Sequence, residues 1–385
     1  MAINVVSVSD KDVAMPYLKG DPVPWFNADT HTTPQFQFSA AAGRYVVLSF
    51  LGSTSLGASE QVVRDIEQRR TEFSDERVCF FGVSIDPTDF DNGRVREFVP
   101  GVRYFKDFQH FVSEGYGAIS KGLTGTQALL QYRPFSLVLD QRLRTIVSIP
   151  INDSGIGHIN KVLDVVCPLP DFAEHSDADM QAPVLIVPNI FEPEFCKELI
   201  KIYEDQCGED SGFMRDQAGK TVGIYDYGTK RRRDQIIEDE VVRKKCIFKI
   251  HDRLAPEIRR AYQFNATRIE RHIVACYEGE HGGHFKAHRD NTTKATAHRR
   301  FAVSLNLNDE YDGGCVWFPE YGKKLFKPPV GGACVFSCSI LHEATPVTRG
   351  HRYVFLPFLY DDEAAKVREA NQQFLGGNVN APPVK

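Results

Sequence analysis

His288-Arg289-Asp290 sets an imidazole and a carboxylate two residues apart, and His342 adds a second imidazole far downstream. On an extended segment residues i and i+2 point to the same face, so His288 and Asp290 suit joint ligation. Two imidazoles and one carboxylate make the facial triad that holds non-heme Fe(II) while leaving coordination positions open. Arg352, ten positions beyond His342, supplies a fixed cation where a dicarboxylate cosubstrate needs its far end held. An H-x-D alone is common by chance, so its surroundings must carry the reading.

Those surroundings are specific. Cys276-Tyr277-Glu278-Gly279-Glu280-His281-Gly282-Gly283 leads into His284-Phe285-Lys286-Ala287-His288, and its glycines let a loop fold closely over a site. Asp312-Gly313-Gly314 precedes one strand-like run and Gly331-Gly332-Ala333 precedes another, Val335-Phe336-Ser337. His342-Glu343-Ala344-Thr345-Pro346-Val347 and Gly350-His351-Arg352-Tyr353 follow. A rival reading takes His284 and His288 as an i,i+4 zinc pair on a helix. Gly282-Gly283 opposes a helix there, and no H-E-x-x-H occurs. His281, His298 and His351 read as surface or supporting residues rather than ligands.

This order, over about residues 183–361, resembles the 2-oxoglutarate- and Fe(II)-dependent dioxygenases of the prolyl 4-hydroxylase type. The resemblance implies a double-stranded β-helix (jelly roll) with supporting helices. It implies that His288, Asp290 and His342 ligate Fe(II) and that Arg352 pairs with the distal carboxylate of 2-oxoglutarate. Tyr277 matches the family's cosubstrate-contacting tyrosine, and Asn306 adds a polar contact where some members use tyrosine. Thr348 and Ser337 are further candidate donors. The implied reaction hydroxylates an unactivated C–H bond and releases succinate and CO2, with ascorbate as auxiliary reductant. Halogenating relatives replace the carboxylate ligand with Ala or Gly, so Asp290 points to hydroxylation. The implied substrate is a prolyl or other residue of a peptide or protein. A free amino acid or small natural product is the alternative within the enzyme class. A redox- or oxygen-responsive binding protein with incidental turnover is the alternative outside it.

The elements that must position these residues fall into two halves. At 385 residues the chain exceeds what one core usually covers. We expect domains at 1–170 and 184–365, an acidic, apolar-poor linker at 171–183, and a tail at 366–385. In the first half, strand-like Tyr45–Phe50, Val78–Ile85, Phe135–Asp140 and Thr145–Ile149 alternate with helical patterns at Ser59–Phe73 and Ile159–Val166, which predicts an α/β sheet. The second half begins with strand Val184–Val187 and helix Pro193–Tyr203. A longer helix, Glu240–Tyr262, should kink or break at Pro256. Short strands follow: Arg271–Tyr277, Phe301–Leu307, Gly314–Phe318, Ala333–Ser337 and Tyr353–Tyr360.

The first half, from about residue 15 to 168, resembles peroxiredoxins and their thioredoxin-like fold. The resemblance rests on Gly20-Asp21-Pro22-Val23-Pro24-Trp25-Phe26, on Val83-Ser84-Ile85-Asp86 and on Arg133-Pro134-Phe135-Ser136-Leu137-Val138-Leu139-Asp140. It fails at the chemistry. Where the family places its thiolate, Leu51-Gly52-Ser53-Thr54-Ser55-Leu56-Gly57-Ala58-Ser59-Glu60 has no cysteine. This half therefore reads as a docking or homodimerisation module without peroxidase activity. Arg133 is either a residual structural arginine or an anion site beside the helix start at Ser59.

A net charge of −5 and 42% hydrophobic residues give no reason to expect nucleic acid or a membrane as partner. No basic region followed by an apolar run opens the chain, and no apolar stretch nears bilayer-spanning length. The nine scattered cysteines read as reduced, mostly buried thiols, Cys334 and Cys338 included, in a cytoplasmic protein. Lys230-Arg231-Arg232-Arg233 reads either as a solvated loop or as a rim that recognises an acidic peptide or a carboxylate.

Overall fold

The computed structural model describes residues 5–7, 15–55, 57–124, 127–170 and 180–379. The chain forms two compact units, Met1–Met180 with Glu320–Gly322, and Gln181–Pro319 with Lys323–Lys385. The expected linker lies outside the described residues up to position 179.

In the first unit, Tyr45–Gly52 and Val78–Ser84 are buried along their whole length, as strands covered on both faces must be. They pair in parallel, joined by the crossover helix Gly57–Gln68. Val102–Lys106 adds a third parallel strand, while Phe135–Leu139 and then Thr145–Pro150 add antiparallel strands on the other side. Val62, Val63 and Ile66 of the first helix share one core with Ile159, Val162 and Val166 of helix His158–Val166. The Ser59 hydroxyl donates to the Leu51 carbonyl at 2.6 Å, so it is consumed in holding the strand–helix turn.

The second unit holds two antiparallel sheets that bear on the site. In the larger, Leu185–Val187, Ala333–Ser337, Phe301–Asn306, Val347–Phe355, Ile273–Glu278, Arg233–Ile236 and Glu209–Asp210 run as neighbours in that order. In the smaller, the order is Lys230–Arg231, His284–His288, His342–Ala344, Val316–Trp317, Leu325–Phe326. A cluster of Ala275, Tyr277, Val347 and Val354 with Ala344 and Phe285 draws on both sheets. A second core joins the larger sheet to helix Pro193–Gln206 through Phe195, Leu199 and Tyr203, and to the helices beyond Asp239 through Val242, Ile250 and Ile258.

Three details depart from the sequence reading. The helix expected to kink or break is two α-helices, Glu240–Lys249 and Ala255–Tyr262, joined by a π-helical turn over Ile250–Leu254. Pro256 has no N–H for the carbonyl four residues earlier, and the wider turn absorbs that loss without ending the helix. Residues expected as a tail instead form helix Asp362–Asn371, capped by the Asp361 carboxylate on Ala364 N, and strand Leu375–Val379. That strand pairs in parallel with Lys220–Ile224 of the hairpin Phe213–Gln217/Lys220–Ile224, which the sequence reading did not contain. Residues 380–385 lie outside the described ones.

Candidate metal centre

The strand His284–His288 is built for close packing on both sides. Lys230 pairs with Phe285 on one edge, and His342 pairs with His288 on the other. The glycine at 283 is obligatory, because a Cβ there would lie 2.6 Å from the Glu278 nitrogen. Because His284–His288 is a strand, the helical zinc pair is excluded. His284 turns its two ring nitrogens to the Gly282 and Gly228 carbonyls. Beyond the strand, Asp290 N donates to Cys338 O at 3.0 Å, and the Arg289 guanidinium reaches the Ser339 carbonyl. These bonds fix the backbone that carries Asp290 against the chain leading to His342.

The side chains of His288, Asp290 and His342 converge, with one ligand atom from each inside a 4.8 Å span. His288 Nε2 lies 3.5 Å from Asp290 Oδ1, and His342 Nε2 lies 3.3 Å from Asp290 Oδ2. Each imidazole uses Nδ1 on a backbone carbonyl, His288 on Lys286 at 2.7 Å and His342 on Ile340 at 3.0 Å. That assignment puts the proton on Nδ1 and turns the Nε2 lone pair inward. Burial, followed by His288, pushes the His342 imidazole down to about 4, so it is neutral at pH 7. Burial pushes the Asp290 carboxyl up, but His342, His288 and Arg299 outweigh it and hold the group ionised. Two lone pairs and a carboxylate aimed at one point repel each other unless a cation sits between them. The donor set fits Fe(II) on that ground.

The walls are apolar and aromatic. Phe285 stacks on His288 at 3.4 Å between ring centroids, and Phe336 lies 4.5 Å from His342. Behind Asp290, Arg299 donates to the Asp290 carbonyl at 3.4 Å and grips Glu270 through Nη2 at 2.6 Å and Nε at 3.0 Å. His298 completes that buried group at 2.7 Å from Glu270, whereas His281 and His351 are exposed. Nothing in the sequence singled out Glu270 or Arg299, since a buried ion pair has no local pattern.

Arg352 sits directly opposite Tyr277 on the neighbouring strand, with its guanidinium carbon 5.4 Å from the phenol ring centroid. Only 2% of Arg352 is exposed. It donates to Ser304 Oγ at 2.7 Å and Asn306 Oδ1 at 3.1 Å, and no carboxylate pairs with it among the described residues. Asn306 is itself anchored by Nδ2 on Pro328 O at 2.8 Å, so it orients the arginine. Buried Tyr311 belongs to the same group: burial pushes its phenol up, and the neighbouring Arg352 and Asn306 oppose that shift. A buried cation bonded to neutral oxygens alone is short of an anion, which fits a carboxylate ligand. Ser304 shares a strand face with Asn306 at i,i+2 and was readable on that basis; Tyr311 carried no such signal. Thr348 is exposed, and Ser337 accepts from Ser339 N at 3.3 Å, so neither joins Arg352.

The basic run is not a solvated loop. Lys230 and Arg232 are 5% and 7% exposed, and Arg232 pairs with Asp234 at 2.6 Å while reaching Tyr277 Oη at 3.4 Å. Lys230 opens one short strand and Arg232 joins it to the next; both are buried, while Arg231 and Arg233 are half-exposed.

Residues 272–360 match the 2OG-Fe(II) oxygenase superfamily, so the second unit carries a domain of that kind. A PKHD-type hydroxylase of Pseudomonas aeruginosa is 34% identical over 112 residues, which is 27% of this chain and 47% of that protein. The chain spans less than half the length of the curated relatives it matches. Among solved structures, a prolyl hydroxylase of Trichoplax adhaerens, in complex with a peptide fragment of hypoxia inducible factor, is 19% identical, with a TM-score of 0.37. It covers 49% of this chain and 87% of its own. The peroxidoxin BcpB of Mycobacterium tuberculosis is 21% identical at a TM-score of 0.33, covering 40% of this chain and 99% of its own.

Proposed function

We propose that the chain is a 2-oxoglutarate- and O2-dependent hydroxylase of a prolyl or other residue in a peptide or protein, releasing succinate and CO2. His288, Asp290 and His342 would hold Fe(II), and Arg352 would hold the distal carboxylate of 2-oxoglutarate, with Tyr277 beside it and Asn306 behind it. The observation that carries this reading is a pairing of two features. Two imidazole nitrogens and a carboxylate oxygen converge within 4.8 Å of one another, and one buried guanidinium bonds only neutral oxygens. Bound together there, Fe(II) and 2-oxoglutarate would activate O2, the oxidant, with one oxygen atom entering succinate as CO2 leaves and the other entering the C–H bond.

The chain's own groups divide the remaining work. The Lys286 and Ile340 carbonyls hold the Nδ1 protons, which keeps both Nε2 atoms free for metal. Asp290 retains the third ligand position, which favours hydroxylation over halogenation. Arg352, pinned by Ser304 and Asn306, would fix the cosubstrate's orientation through two parallel hydrogen bonds. Phe285 stacked on His288 and Phe336 beside His342 would place an apolar ring against each imidazole ligand.

We read the two antiparallel sheets as a double-stranded β-helix and the first unit as a thioredoxin-like module for docking or homodimerisation. The missing cysteine and the committed Ser59 hydroxyl leave that unit no peroxidase chemistry. All nine cysteines are free thiols, in keeping with a cytoplasmic setting. The described helices include none long and apolar enough to cross a membrane. The test is succinate release from 2-oxoglutarate with Fe(II) and ascorbate, for wild type and His288→Ala. It is paired with mass spectrometry of cell extract for products heavier by one oxygen atom. No metal-dependent succinate from the wild type would overturn the reading, and oxidised small molecules in place of peptides would redirect its substrate class.

A further inference from the structure

Cations without counter-ions gather beside the candidate metal centre. Residues 211–234 hold six basic and three acidic side chains in a chain whose net charge is −5. All three acids are committed: Asp234 pairs with Arg232, Asp216 accepts from Thr221 Oγ1 and Lys294 N, and Asp226 accepts from Gly228 N and Thr229 Oγ1. Buried Lys230 donates to Ser211 Oγ at 2.7 Å and Gly212 O at 2.6 Å, both neutral. Arg215, half-buried on the Phe213–Gln217 strand, has no hydrogen bond or ion pair among the described residues.

These two cations stand on one row of rings. The Arg215 guanidinium carbon lies 5.7 Å from the Phe213 ring centroid, and Phe213 lies 6.2 Å from Phe285. Lys230 Nζ is 5.0 Å from the Phe285 centroid, and Phe285 stacks on His288. Burial, joined at Lys230 by the neighbouring Arg232, holds both Arg215 and Lys230 below their ordinary values and outweighs the pull of Asp226 on Arg215 and of Asp234 and Asp290 on Lys230. A guanidinium partly stripped of water and left unpaired is a costly feature for a fold to keep. It is suited to an anion that arrives from outside, since much of its desolvation precedes binding.

We infer that Arg215, backed by Lys230, forms a substrate-recognition subsite for a carboxylate carried close to the residue that is oxidised. The inference rests on the hydroxylase reading and adds the substrate's chemical class to it. The carboxylate is an acidic side chain of a peptide or that of a small organic acid. The planar guanidinium, with its five N–H groups uncommitted, meets a carboxylate through two parallel bonds. The Phe213–Phe285 row lines its approach to His288.

The experiment uses the full chain loaded with Mn(II) and 2-oxoglutarate and kept free of O2, so binding is read without turnover. The probes are labelled proline-containing peptides, each made with Glu and with Gln beside the proline. For at least one pair, the Glu peptide should bind about 10-fold more tightly or better, in line with hydrogen bonds to a charged group, and the gap should shrink with salt. Arg215→Gln should abolish the gap, while Arg215→Lys should keep part of it. Mn(II) binding reports that each variant is folded. Displacement by glutarate at comparable concentration assigns the subsite to a small acid; its failure to displace assigns it to a peptide. Equal affinity for Glu and Gln peptides in every pair overturns the inference, as does an unchanged gap in Arg215→Gln. Charge-selective binding that survives in a protein without Fe(II)-dependent succinate release overturns the hydroxylase reading and leaves the anion site standing.

Discussion

His288 and His342 stand directly opposite each other on neighbouring antiparallel strands, with ring centroids 4.3 Å apart. Residues opposed in a ladder share a face, so one register brings both imidazoles over Asp290 although 54 positions separate them in sequence. A slip of one residue would send one of them to the far side of the sheet. The convergence of the three side chains therefore depends on strand pairing as much as on residue identity.

Removing any of the three converging groups should abolish metal-dependent chemistry. His342→Ala is expected to lower Fe(II)-dependent succinate release by more than about 100-fold, beyond the loss typical of groups that merely support a ligand. Calorimetric titration with Co(II) should show weakened binding in the same variant. Wild-type Co(II) affinity in His342→Ala would dismiss the site.

The cosubstrate end can be tested without touching the triad. Arg352→Lys loses the planar fork and should raise the KM for 2-oxoglutarate about 10-fold or more. Gly314→Ala should do the same indirectly. Gly314 has φ +58, and a Cβ there would meet Arg352 Cδ at 2.9 Å. Co(II) affinity should stay at the wild-type value in both. An unaltered KM in both variants would remove Arg352 from the cosubstrate site.

The buried pair behind Asp290 should matter for stability. Arg299→Ala strands Glu270 in a buried site with His298 as its remaining side-chain partner, and is expected to cost about 3–5 kcal/mol. Urea unfolding followed by circular dichroism reads this directly. A loss below about 1 kcal/mol would show that water reaches Glu270 as soon as the arginine is gone.

Acid should loosen the first unit through His158. Burial, then Lys161, lowers its imidazole to about 4, and its Nε2 lies 2.8 Å from Ser136 Oγ. The unfolded chain takes up this proton near pH 6.5 and the folded chain only near 4. Stability is therefore complete above 6.5 and falls across that window by up to about 1.4 kcal/mol per pH unit. The exchange protection factors of amides in the helix His158–Val166 should fall between pH 7 and 5, and less so in His158→Gln. Matching profiles for the two proteins would refute the assignment.

Local signals were legible where the physics is local. The uniformly apolar runs at Tyr45–Gly52 and Val78–Ser84 announced buried strands, and His-x-Asp with the later His and Arg named the side chains that converge or lie buried at the candidate site. The same kind of reading went astray at 366–379, because the Leu375–Val379 strand is stabilised by pairing with Lys220–Ile224, a partner distant in sequence. It left the basic run 230–233 undecided for a related reason. Composition reports charge, but only the fold decides which of those charges are buried.

The sequence by itself determined the chemical types: two imidazoles, a carboxylate, a guanidinium, and a first half with no cysteine where a thiolate would act. Tertiary structure alone decided their state. It turned both Nε2 lone pairs toward Asp290, left Arg352 and Arg215 without acidic partners, and set Arg299 and Glu270 behind the site. Residue identity fixes which proton or charge a group can carry, whereas burial and long-range pairing fix whether that charge is already answered within the fold.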